Sequence, residues 1–156
     1  MKSLLAAAAS SFCLVALTAN AQNGPAPATP PPEAKAAAPR SLSEIMTLQQ
    51  LRHIKLWFAG HGSNWALADY EIGELNAGFE DVDELLGGGT VDKMVGTPLK
   101  ELQRAVDDKN STAFATAYDR LSAGCNACHH ALDRAFIAIQ RPTTLPYSDQ
   151  SFAPQK

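Results

Sequence analysis

Residues 125 to 130 read Cys-Asn-Ala-Cys-His-His, and no other stretch of the chain gathers so much chemistry in so few positions. Two thiols three positions apart, with an imidazole directly after the second, form the attachment pattern of c-type haem. The thiols add across the two vinyl groups of the porphyrin, and the imidazole ligates the iron. On a helix, residues one turn apart share a face, so Cys125, Cys128 and His129 meet one flat macrocycle. The expected cofactor is one haem c, with its iron, per chain.

Two other chemistries use the same residue types. A thioredoxin-like Cys-x-x-Cys belongs near a βαβ pattern, and the sequence shows no strand pattern of that kind. A structural zinc site needs four ligands, usually two close pairs of Cys or His. Beyond the one cysteine pair, the chain offers only His53, His61 and His130, which form no second pair.

The compartment follows from the N-terminus. Lys2, the apolar run Leu4 to Leu17 and the small-x-small triplet Ala19-Asn20-Ala21 form a secretory signal over residues 1–21, cleaved after Ala21. The apolar run is shorter than the ~20 residues a membrane span requires, so no membrane anchor is expected. Cleavage removes Cys13 and leaves Cys125 and Cys128 as the only thiols. Exported c-type cytochromes mature outside the cytoplasmic membrane, so a bacterial chain of this kind is expected to be periplasmic. Without Lys2 the chain has 12 basic and 16 acidic residues, a net charge of −4. That balance argues against nucleic acid, which calls for a basic patch. About 135 residues remain after cleavage, enough for one small domain with one core.

Residues 22–40 hold six of the ten prolines among alanines and have no apolar period. They read as a Pro/Ala-rich linker in extended or polyproline conformation. Residues 41–140 then read as an all-α, four-helix, up-and-down bundle. The first helix runs from about Leu42 to Ala59, with Ser41 or Ser43 as cap. Leu42, Ile45, Met46, Gln49, His53, Leu56 and Trp57 fall on one of its faces. The second runs from Trp65 to Leu86 behind Asn64, with an apolar seam at Ala68, Ile72, Leu75, Phe79, Val82 and Leu86. Its acidic residues Glu71, Glu74, Glu80, Asp81 and Glu84 read as a solvated face. Gly87-Gly88-Gly89 stops it and opens a loop to Thr97, which caps a third helix with Pro98 at its first position. Ser111 caps the last helix, expected from Thr112 to about Ile139, which carries the haem motif in its core stripe. The tail, residues 141–156, is expected to be extended.

Four amphipathic helices behind a signal peptide, with Cys-x-x-Cys-His in the last, resemble the cytochrome c-prime (c′) family and its low-spin relatives. The resemblance covers about Leu42 to Ile139 in helix order, and only the haem motif is specific. It implies His129 as proximal iron ligand and an arginine close by, for which Arg134 stands slightly out of place. It also implies that the first helix faces the distal side of the haem. Low-spin relatives supply a methionine there, for which Met46 is nearest the pattern. His53, on the same face, is the alternative sixth ligand. Counting ten residues from His129 to the end of its helix, and the same number from the start of an antiparallel neighbour, gives Gln49 to His53 and so favours His53 over Met46. Gln49, Leu56, Trp57, Leu132, Arg134 and Phe136 are the further residues expected in the haem pocket, with Trp65 and Tyr70 as other aromatic candidates.

A filled sixth position suits an electron carrier between periplasmic redox partner proteins, either monomer or homodimer, that catalyses no reaction of its own. An open, apolar distal face would instead suit a five-coordinate c′-like binder of small gas ligands, nitric oxide or carbon monoxide. A peroxidase would need a distal acid/base group beside an open iron, a role left only to a His53 standing too far away to ligate.

Overall fold

The first, second and last helices each begin at a side chain that accepts from a free amide. In the structure, a computed structural model that describes residues 40–155, the Ser41 hydroxyl accepts from the Glu44 amide at 3.3 Å. The Glu44 carboxylate returns the contact by accepting from the Ser41 amide at 2.7 Å. This capping box starts α1 (Leu42–His61), which runs two residues past its expected end. Asn64 caps α2 (Trp65–Leu86) by accepting from the Leu67 amide at 3.2 Å. The expected signal peptide, and the expected linker apart from Arg40, lie outside the described residues.

The loop expected between Gly87 and Thr97 is mostly helix. Gly87, Gly88 and Gly89 all take left-handed backbone angles, which turn the chain sharply. The Asp83 carboxylate then accepts from the amides of Val91 (2.8 Å) and Asp92 (3.1 Å), so a helix restarts at once. It passes through one wide π turn, Asp92–Gly96, into α3 (Thr97–Asp107). Pro98 therefore lies inside a continuous helical run, where its ring would crowd the carbonyl four residues back. The wide turn, which ends just before Thr97, relieves that crowding. Nothing in a glycine triplet announces that an aspartate one turn upstream will cap the next helical run.

Asn110, not Ser111, caps α4 (Ser111–Ala131) by accepting from the Ala113 amide at 3.0 Å. This helix ends eight residues before the expected Ile139. Asp133 takes a left-handed conformation, φ 57°. The Arg134 amide donates to the His129 carbonyl at 2.7 Å, and the Asp133 amide to the His130 carbonyl at 3.2 Å. This is a Schellman stop with an aspartate where glycine is usual. The apolar spacing continues past it to Leu132, Phe136 and Ile139 and so concealed the end.

The contacts make each neighbouring pair antiparallel. Arg52 pairs with Glu74 at 2.6 Å, and Lys55 pairs with Glu71, between α1 and α2. Gln103 donates to Asp69 between α3 and α2 (2.8 Å), and Arg120 of α4 bonds Glu101 of α3 at 2.9 Å. At the far end of α1 a Cβ on Gly60 would fall inside the Phe114 ring, so glycine alone lets α4 approach there. The result is all-helical, compatible with a helical bundle, and has no strand among the described residues. No helix among them is long and apolar enough to cross a membrane.

Glu71 corrects the reading of the acidic face. It is buried, 1% exposed, against Lys55 rather than solvated. One turn of α2 thus carries an ion pair inward beside the apolar seam, where breaking either partner leaves an uncompensated charge. The tail has no helix and is anchored at two points. Arg141 forks onto the Asp119 carboxylate at 2.6 and 2.7 Å. Farther on, Phe152 is buried against Phe58, and Asn64 donates to the Ala153 carbonyl at 3.0 Å.

Candidate functional site

The early end of α4 is what brings the site together. Cys125, Cys128 and His129 occupy its last two turns, and all three open on one cavity of about 510 Å³. Met46, Gln49 and His53 of α1 form the opposite wall, and Leu75, Phe79 and Val82 of α2 form the floor. Val91 and Val95, from the helical run after the glycines, close one side. Leu132, Arg134, Ile137 and Ile139, beyond the end of α4, line the remaining rim. Most of this surface is hydrocarbon, as expected of a site for a large flat ligand. At the back, a Cβ on Gly124 would lie 2.5 Å from the Met94 carbonyl oxygen, so glycine lets the π turn pack directly beside Cys125.

His129 is only 9% exposed, and its Nδ1 lies 2.7 Å from the Ile137 carbonyl oxygen. A carbonyl can only accept, so Nδ1 carries the proton and donates. That fixes the tautomer and leaves the lone pair on Nε2, the arrangement found in metal-ligating histidines. The turn after α4 supplies this carbonyl. In a helix continuing to Ile139 this carbonyl would lie eight residues, roughly 12 Å, farther along the axis and out of reach of His129.

His53 is differently placed. Its Nε2 is 2.9 Å from the Ser122 hydroxyl and its Nδ1 2.8 Å from the Tyr118 hydroxyl, so both ring nitrogens are engaged. The Tyr118 hydroxyl also lies 2.9 Å from the His53 carbonyl, and the Ser122 hydroxyl 3.0 Å from the Tyr118 carbonyl. The ring is 4% exposed and has the geometry of a satisfied core histidine. Gln49 is similarly occupied: its amide donates to the Leu75 carbonyl at 2.7 Å, and its oxygen accepts from Arg52 at 2.9 Å. Met46 is half-buried on the cavity wall with no polar partner.

Register explains the difference. The pairs Gly60 with Phe114 and His53 with Tyr118 and Ser122 show α1 and α4 running antiparallel. Two further turns bring Met46 level with Cys128 and His129. The expected level of Gln49 to His53 assumed ten helical residues after His129, whereas α4 has two.

The remaining sequence candidates divide cleanly. Leu132 and Arg134 lie on the cavity rim, and the Arg134 guanidinium bonds the Leu132 and Asp133 carbonyls. Leu56 is in the core, away from the cavity wall. Trp57 packs on Tyr118 and Phe114, and Trp65 on Phe114, toward the far end of the helices. Tyr70 is exposed, and Phe136 is 80% exposed because the helix that was to carry it inward has already ended. His61 is exposed and stacks on Trp57, and His130 is exposed. Sequence reading missed Tyr118 and Ser122 as partners of His53, and the Ile137 carbonyl altogether.

Burial pushes the Cys125 thiol up to about 12, with Cys128 a lesser cause. Cys128 is also raised, by burial first and Asp83 second. A thiol–disulfide catalyst needs the opposite, a thiolate favoured by a helix N-terminus or a nearby cation. These thiols stand in the last turns of a helix, where the dipole opposes negative charge. Among the described residues no three His, Cys, Asp or Glu side chains converge to hold a bare metal ion.

Burial also lowers His53 from the usual 6.5 to about 4. The unfolded chain takes up this proton near 6.5 and the folded chain resists it, so protonation favours unfolding. The contribution of neutral His53 is intact above pH 6.5 and is lost as pH falls toward 4. Unfolding free energy should drop by about 1.4 kcal/mol per pH unit across that window. Urea titrations at stepped pH measure this slope, and His53→Gln should flatten it. A wild-type slope equal to that of the variant would show that His53 is not the group responsible.

Comparison of the chain with family profiles, with characterised proteins and with solved structures finds no match. Any functional reading therefore rests on the site itself.

Proposed function

We propose that this chain is an exported, periplasmic c-type cytochrome, a c′-like bundle that carries electrons on one haem c. The observation that carries the reading is the cavity: both thiols and the His129 imidazole beside them open on the same apolar space, and that imidazole has its outer nitrogen fixed by a carbonyl. The residues fit the group in donor type and in surroundings. Cys125 and Cys128 would form the two thioethers, and His129 Nε2 would ligate the iron. Bound there, haem supplies a one-electron couple at its iron.

The protein's own part is to hold, exclude and tune. The apolar walls keep water from the site, and the Ile137 carbonyl strengthens His129 as a donor. Of the α1 candidates, Met46 has its side chain free to serve as the sixth ligand, whereas His53 would first have to give up a bond to Ser122 or Tyr118. Arg134 at the rim is the nearest cation for a propionate.

The test is the optical spectrum of the purified holoprotein, oxidised and reduced, with and without carbon monoxide. A low-spin spectrum that carbon monoxide leaves unchanged is expected of the electron carrier. A high-spin spectrum that shifts with the gas would overturn that reading and favour a five-coordinate gas binder.

A further inference from the structure

Asn126, the first residue between the two cysteines, makes contacts that the attachment chemistry does not require. Its side-chain amide donates to the Ile139 carbonyl at 2.9 Å, and its side-chain oxygen accepts from the Ile139 amide at 2.7 Å. The pair mimics two rungs of a β-ladder, and it ties the segment after α4 back onto the helix thirteen residues earlier. Between these ties the chain makes a single loop. It is pinned at its start by the Schellman stop at Asp133 and at its end by Asn126, and Ile137 lies two residues from that second pin. The Ile137 carbonyl is the group that reaches His129 Nδ1.

We infer that Asn126 is a positioning residue for the axial histidine: by clamping Ile139 it holds the Ile137 carbonyl against His129 Nδ1 and so sets the donor strength of Nε2. The inference rests on the haem reading above. Its physical basis is that a hydrogen bond accepted from Nδ1–H gives the ring partial imidazolate character, and a stronger donor favours the oxidised iron. Within the loop the Ile137 amide donates to the Arg134 carbonyl at 2.8 Å, which closes a turn but does not tie Ile137 to the helix. Phe136 is 80% exposed and Ile137 43%, so side-chain burial adds little to hold the loop down. The next anchor, Arg141 on Asp119, lies beyond Ile139 and does not constrain Ile137 directly.

The experiment compares Asn126→Ala and Asn126→Leu with wild type in the mature holoprotein, with Arg141→Ala as a variant that loosens the tail farther along. Asn126→Leu keeps the shape and adds no charge but makes neither hydrogen bond, so it guards against a packing defect in the alanine variant. Three readouts are taken: covalent haem stain on a denaturing gel, amide hydrogen exchange at Ile139, and the reduction potential. Both Asn126 variants should keep the stain, exchange the Ile139 amide about tenfold faster, and show a potential shifted to more positive values. Arg141→Ala should leave the potential where it was. An unchanged potential in the Asn126 variants, despite faster exchange, would overturn the inference and leave Asn126 a fastener of the tail. An equal potential shift in Arg141→Ala would overturn it too, because any loosening of the tail would then suffice. Absence of stain in the wild-type protein would instead strike the haem reading itself.

Discussion

The Cys125→Ser/Cys128→Ser double variant is expected to lose covalent haem stain completely on a denaturing gel. Both thiols open on one cavity, and no other cysteine exists after Cys13, which lies in the expected signal. A serine hydroxyl does not form the thioether, while His129 keeps its carbonyl partner and its place on the wall. Haem could therefore still bind non-covalently to the folded variant and yet be stripped by denaturant. The effect should extend to stability. A ligand that binds the folded chain and not the unfolded one stabilises the fold by mass action, and this mostly hydrocarbon wall is the surface it would cover. The haem-free form should accordingly lose helix signal, as read by far-ultraviolet circular dichroism, at far lower urea than the holoprotein. Stain retained by the double variant would remove the central assignment.

Met46→Ala and His53→Ala should separate sharply, and in opposite senses. Met46 is half-buried, unpartnered and level with His129, so its removal is expected to turn a low-spin spectrum high-spin and make the iron reactive to carbon monoxide. The accompanying loss of stability should be modest, about 1–2 kcal/mol for a partly buried side chain. His53→Ala should leave the spectrum unchanged but destabilise the fold by about 2–4 kcal/mol. It removes a packed ring and strips Tyr118 and Ser122 of a buried partner. The reverse pattern, an iron opened by His53→Ala, would mean that the ring leaves Tyr118 and Ser122 on haem binding. It would also mean that the register drawn from Gly60 and Phe114 does not hold at the cavity end.

These two residues show where sequence reasoning reached its limit. Both stood on the correct face of the first helix, because a period of 3.6 is a local property. Choosing between them needed the length of a different helix. The Schellman stop at Asp133 set that length, and an aspartate in a left-handed turn leaves no pattern to count. One misplaced terminus shifted the expected level on α1 by two turns and turned Phe136 from a pocket residue into an exposed one. The capping of the third helical run by Asp83 was hidden in the same way, since the donor amides lie eight and nine residues downstream.

The sequence by itself determined the helical class, the starts of α1 and α2, the apolar seam of α2 and the six-residue stretch that carries the chemistry. All are local: a cap, a period or a spacing is written within one or two turns. The tertiary structure decided that both thiols and His129 open on one cavity, that Met46 rather than His53 is free within it, and that Asn126 and the Ile137 carbonyl stand behind His129. Each of these depends on contacts between residues that the chain separates by eight to about eighty positions. Such contacts are fixed by where helices stop and how they pack.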